Sequence, residues 1–280
     1  MSVDQINWRS EFNALQPYFD GKGGVVHVRY RGSQCAPNAF LGTLKSSFEN
    51  FASQGPRASV RIDPIVPTTH YLVDILQAIA KKIGCKLETT KAVAPVINVG
   101  YGNTSGADMK IDIRDVQIDA ADYSDAPLLR DRRIAQVCRA THEFLSTGHF
   151  MIVLNDAAPE EQAPFWGDLW EDGFKELIAH GLLLIKMIDD EKQRNTKHPD
   201  EPEPEIRLSL PAAYDERQQL DAIEDLANIL IREVKRERNL DLPLESATLS
   251  VRGVVFSHKG DISRLHREWS GVLMDLVKNA

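Results

Sequence analysis

Phe150 to Leu154 is an unbroken apolar run inside the stretch HFMIVL, and it ends at Asn155-Asp156. A strand with no polar alternation has no face to give to water, so it belongs inside a sheet covered on both sides. GLLLIKM, from Gly181 to Met187, has the same character. Amphipathic segments separate such runs. Phe40, Leu41, Leu44, Phe48 and Phe51 recur at helical spacing, as do Tyr71, Leu72, Ile75, Leu76, Ile79 and Ile83. Gly24–Tyr30, Ala58–Ile62 and Ile206–Leu210 read as further strands, and Tyr214–Arg238 as a long helix. Strand and helix alternate without tight hairpins. The expected class is therefore α/β, a parallel sheet of about five strands with helices on both faces.

One stretch breaks the alternation. Between Pro95 and Asp119, the residues Val96, Val99, Ile111, Ile113, Val116 and Ile118 stand mostly two apart around a Gly/Asn/Ser turn. This predicts an inserted β-hairpin, one that could pair edge to edge with another copy. Ala126–Thr147 and Pro164–His180 read as helices, Leu244–Ser257 as a short helix-and-strand segment, and Asp261–Val277 as a last helix. Residues 1–240 then form the α/β domain, with its β-rich insertion at about 95–119, and residues 241–280 a small helical extension packed on the core. Asp189–Glu205, charged and rich in proline, reads as a solvated loop. Trp166 and Trp170, if exposed, would suit partner contacts, although core packing is the commoner fate of tryptophan at that spacing.

The bulk numbers exclude several classes. A net charge of −8 argues against broad binding to nucleic acid or anionic membrane. Cys35, Cys85 and Cys138 are far apart and form no C-x-x-C pair, which argues against a disulfide framework and suits a reducing, cytoplasmic setting. The first residues lack the basic and apolar regions of a signal peptide. No apolar run approaches the roughly 20 residues that span a bilayer. The histidines show no metal-binding spacing, so no metal site is expected.

The chemistry, if any, centres on the turn after the first strand. Strand, glycine turn and helix is the layout of a phosphate-binding loop, G-x-x-x-x-G-K-[ST]. Gly32 matches the first glycine. Pro37, Asn38 and Ala39 stand where the second glycine, the lysine and the hydroxyl residue should be. Proline has no N–H to offer a phosphate, and neither Asn38 nor Ala39 replaces the lost cation or the Mg²⁺-binding hydroxyl. HFMIVLND is similar to a Walker B strand with Asp156 as its acid, but Ala157 stands where a catalytic glutamate normally follows. Cys35 lies near a helix N-terminus, a place that can lower a thiol pKa, although a buried, incidental cysteine is the commoner case.

In succession, the glycine-loop strand, the short strand before Asp63, HFMIVLND, GLLLIKM and IRLSL follow the order of parts in a P-loop ATPase core. Over roughly residues 24–236 the chain resembles the STAND-type signalling NTPases, in particular their inactive relatives with eroded Walker motifs. The insert VINVGYGNTSGADMKIDI is similar to one seen in bacterial members. The resemblance implies a scaffold or regulatory adaptor in bacterial signalling or defence, with no catalytic residues and no required cofactor. Its partners would be an effector protein or further copies of itself. The alternative is a nucleotide-binding switch with slow or no hydrolysis, in which Gly32, Asn38 and Asp156 hold ATP and Mg²⁺. A second alternative is a metal-dependent nuclease using Asp63, Asp108, Asp112, Asp115 and Asp156.

Overall fold

A computed structural model of the chain describes residues 8–51, 55–62, 71–87, 91–99, 111–119, 127–155, 164–192, 198–213, 215–258 and 261–279. Strands β1 (Gly24–Tyr30), β2 (Arg57–Ile62), β5 (His149–Leu154), β6 (Leu183–Asp189) and β7 (Ile206–Ser209) form one sheet, in the order β2-β5-β6-β1-β7. Every pairing in it is parallel. The expected α/β class and five-stranded parallel sheet are what the chain forms. Strands β3 (Lys91–Val99) and β4 (Ile111–Asp119) make a separate antiparallel hairpin at the inserted segment, beginning four residues earlier than the sequence pattern implied.

Side chains alternate across the sheet and sort the core into two layers. On one face Val26, Val28, Met151, Val153, Leu183, Ile185 and Met187 meet helices α1 (Arg9–Phe19) and α2 (Pro37–Glu49) through Phe12, Leu15, Phe40, Leu44 and Phe48. The same layer receives α6 (Glu216–Arg238), α7 (Leu244–Ser257) and α8 (Ile262–Asn279), through Leu226, Leu230, Val251, Val255, Leu265 and Trp269. On the other face Val60, Phe150, Ile152, Leu154 and Leu184 meet α3 (Tyr71–Ile83), α4 (Pro127–Leu145) and the π-wound α5 (Pro164–Phe174).

Several expectations change. Residues 244–257 are one continuous helix, because Ala247, Val251 and Val255 fall four apart on a single buried stripe. Trp166 and Trp170 are fully buried against each other and Phe165, so they are not surface anchors. The apolar run GLLLIKM enters its strand two residues late, since Gly181 takes a left-handed turn at φ 98° to close the preceding helical segment. The long helix α6 starts where Asp215 caps it. The Asp215 carboxylate accepts from the Gln218 N–H at 2.7 Å, and the Gln218 side chain accepts from the Asp215 N–H at 3.0 Å.

Candidate functional site

In open parallel sheets the ligand crevice lies outside the carboxyl ends of the strands, where connections leave to opposite faces. Here that place is between β1 and β6. The chain leaves β1 for α2 on one face, and leaves β6 for a segment laid over the other face. Gly32 follows β1 at φ 68°, a left-handed value that favours glycine. A single helical turn, Ser33–Cys35, comes next, and then Ala36 at φ 48°, ψ 50°. An alanine in that conformation costs about 1–2 kcal/mol. Pro37 opens α2 with no side-chain cap before it.

The crevice is occupied by the protein's own acids. The Gly32 N–H donates to Asp189 Oδ1 at 3.3 Å, and the same oxygen accepts from the Glu191 N–H at 3.1 Å. Gln34 Nε2 donates to Glu191 Oε1 at 3.3 Å. A Cβ added at Gly32 would meet the ends of the Glu191 and Gln34 side chains, which can move aside, so it is the backbone angle that favours glycine here. Asp190 turns outward onto Arg29, with Oδ1 2.6 Å from Nη2, and this contact raises the Arg29 pKa. Helix α8 leans on the turn at Ser33–Cys35. Cys35 is buried beneath it, and burial pushes the thiol pKa up, with Glu191 and Asp189 adding to the effect. The commoner reading, a buried and incidental cysteine, is therefore the one Cys35 follows. The helix N-terminus is outweighed by desolvation and two carboxylates.

Of the three residues singled out for a nucleotide pocket, two lie among the described residues. Gly32 lies in the loop as expected. Asn38 is exposed and accepts from Arg61 Nη2 at 3.4 Å, on the side of β2. Asp156 lies outside the described residues, as do Asp63 and Asp108, and β6 separates its strand β5 from β1. Sequence reasoning passed over Asp189 and Glu191. Their signal was three acids placed directly after an apolar strand, the position where a parallel sheet presents its ligand side.

A second constellation sits lower on the sheet. His27 and Lys186 are register partners on β1 and β6, and Lys186 is fully buried. Glu201, 4% exposed, comes down from the β6–β7 connection and pairs with the Lys186 ammonium. Its other oxygen lies 2.9 Å from His27 Nε2, close enough for an ion pair but off the line of a good hydrogen bond. The His198 N–H also donates to Glu201, at 3.2 Å. The Trp166 ring centroid is 6.0 Å from Lys186 Nζ. Burial alone would raise the Glu201 pKa; His27 and Lys186 more than offset it and hold the carboxyl below its ordinary value. Residues 198–205, read from sequence as solvated loop, thus lie against the sheet, and the Glu205 N–H donates to the Val25 carbonyl at 2.8 Å. Among the described residues no group of three or more His, Cys, Asp or Glu is placed to hold a metal ion. No described helix is long and apolar enough to cross a membrane.

No protein-family model and no curated protein matches the chain. Solved structures do. The chain is similar to the ORC1 protein of Aeropyrum pernix in complex with DNA, at 13% identity and a TM-score of 0.44, over 90% of this chain and 59% of that one. It is also similar to Drosophila ORC bound to DNA, at 12% identity and a TM-score of 0.41, over 96% of this chain and 66% of that one. A third is the Aeropyrum pernix ORC2 protein in ADPNP–ADP complexes, at 12% identity and a TM-score of 0.38, over 97% of this chain and 67% of that one. The chain spans less than two thirds of the length of the first two.

Proposed function

We propose that the chain is a P-loop-ATPase-like module that has lost nucleotide chemistry and acts as a scaffold or regulatory adaptor. One observation supports this reading most. The N–H of Gly32, which a working loop would offer to phosphate, is taken by Asp189, and the Glu191 carboxylate stands against the same glycine. A phosphate entering there would meet two carboxylates, with Asn38 in the place of the lysine of a working loop, so Coulomb repulsion adds to the missing contact. Residues 1–240 would form the ATPase-like unit and residues 241–280 an extension over it. The partners would be an effector protein and other copies of the chain, in the STAND-like signalling or defence setting that the sequence resemblance implies. The alternative remains a nucleotide switch without hydrolysis.

The test is thermal unfolding with ATP, ADP or GTP plus Mg²⁺. A ligand at about 100-fold its dissociation constant would add about 2.7 kcal/mol, read as a rise of a few degrees in Tm. No rise is expected for the wild-type chain. A rise that Gly32→Asp and Asp156→Ala both abolish would overturn the proposal in favour of the switch. A DNA duplex belongs in the same assay, and the net charge of −8 predicts no rise with it.

A further inference from the structure

The β3–β4 hairpin pairs nine residues on nine, Lys91 with Asp119 through Val99 with Ile111. Among the described residues it joins no strand of the main sheet. A two-stranded sheet standing alone is marginal in water, and each of its outer edges is a row of backbone donors and acceptors looking for a partner. The two edges are not equivalent. Pro95 lies in the middle of β3, opposite Asp115. Proline is tolerated in a strand only with its nitrogen turned away from the ladder, so Pro95 faces outward and interrupts the β3 edge. The same parity turns the backbone groups of Ile111, Ile113, Asp115, Gln117 and Asp119 outward on β4, which contains no proline. The β4 edge is continuous.

We infer that this edge is a dimerisation surface: β4 pairs antiparallel with β4 of a second copy, with Ile113 on the twofold axis. The occupant follows from charge. A twofold axis perpendicular to the sheet leaves each residue on its own face, so a strand meeting its own copy must place some residue opposite itself or opposite one an even number away. Centred on Ile113, the pairing sets Asp112 opposite Arg114 of the second copy, and Arg114 opposite the second Asp112. These two are non-hydrogen-bonded positions, where opposite residues come closest, at about 4.5 Å between Cα atoms. Ile113 and the Ile111–Asp115 pairs carry the backbone bonds. Of the other centres with a flanking pair inside β4, Asp112, Arg114 or Asp115 on the axis would oppose its own charge, Gln117 would set Asp115 against Asp119, and Val116 or Ile118 would bring no opposite charges together. The inference rests on the reading of the chain as an assembly module and names the surface by which it assembles.

The experiment is mass by light scattering over a dilution series of the full chain, with charge reversals in β4. The wild type is expected to show the mass of two chains and to dissociate on dilution. Asp112→Lys sets lysine against Arg114, and Arg114→Asp sets aspartate against Asp112, each twice. Each change should weaken the dimer about tenfold or more. The double variant D112K/R114D recreates the complement and should restore it to near wild type. Equal far-ultraviolet circular dichroism for all variants keeps misfolding out of the result. Ile113→Cys should form a covalent dimer under oxidation, since hydrogen-bonded partners lie about 5.5 Å apart at Cα. A wild type that stays monomeric at the highest attainable concentration overturns the inference, and so does a dimer indifferent to either reversal. The mass needs no nucleotide and the Tm shift needs no dimer, so failure of one proposal is distinguishable from failure of the other.

Discussion

The two faces of the sheet are buried alike and built from different materials. The face under α1, α2, α6, α7 and α8 is apolar through the middle of the three central strands, at Val26 and Val28, Met151 and Val153, Leu183, Ile185 and Met187. The opposite face begins the same way and then, toward β1, carries Lys186 and His27 with Glu201 above them. An apolar layer tolerates a lost methyl with a small loss, because dispersion and transfer terms are additive and non-directional. A buried charge tolerates nothing of the kind, since its partner stays behind without compensation. The difference teaches that the β6–β7 connection is held by electrostatics where the rest of the sheet is held by packing.

The largest effect should come from Glu201→Ala, which leaves the Lys186 ammonium in the core and should cost about 3–5 kcal/mol in urea unfolding. Replacing both charges, Lys186→Met with Glu201→Leu, should recover most of that loss, because an ion pair exchanged for apolar residues of similar volume is often neutral. If the double variant falls as far as the single, the contrast between the faces is broken. The same pair predicts a pH dependence. Glu201 has a folded pKa below its unfolded value, so its contribution is complete above about pH 4.3 and is lost as the pH falls through the folded pKa. Glu201→Gln should flatten that acid limb relative to wild type, as measured by Tm against pH. A smaller effect is expected on the apolar face, where Ile185→Val should cost about 0.5–1.5 kcal/mol with no pH dependence. Asp215→Ala, which removes the cap of α6 away from both inner faces, should cost about 1 kcal/mol. Least of all, Lys175→Ala, breaking the exposed pair with Glu171 at 3.4 Å, should stay within about 0.5 kcal/mol.

The fold was legible because its signals are local. HFMIVL and the spacing of Phe40, Leu44 and Phe48 state their own burial, and the structure places them as strand and helix between two layers. The separate hairpin was legible for the same reason, through its period of two. The candidate site was legible only in part. Gly32 announced the turn after β1, but Asn38 reaches toward Arg61, and Asp189, which takes the Gly32 N–H, lies 157 positions from it along the chain. No local pattern links Asp189 to Gly32, since the register of β1 on β6 alone brings them together.

Residues 189–205 show where sequence and tertiary structure part. Their composition, acids, lysines and prolines, is that of solvated chain, and for Asp190, paired with Arg29 at the surface, that reading suffices. Glu201 belongs to the same stretch and is almost fully buried. Composition reports the average environment a residue type prefers, and a glutamate prefers water unless a buried cation awaits it. By itself the sequence determined the alternation of elements, the two apolar layers and the residues Pro37, Asn38 and Ala39 that follow the turn at Gly32. Only the tertiary structure decided that Lys186 would need Glu201, and that Asp189 would take the Gly32 N–H. The reason is physical: hydrophobic burial is a property of each residue, whereas the burial of a charge is a property of a pair, and pairs distant in sequence are made only by the packed sheet.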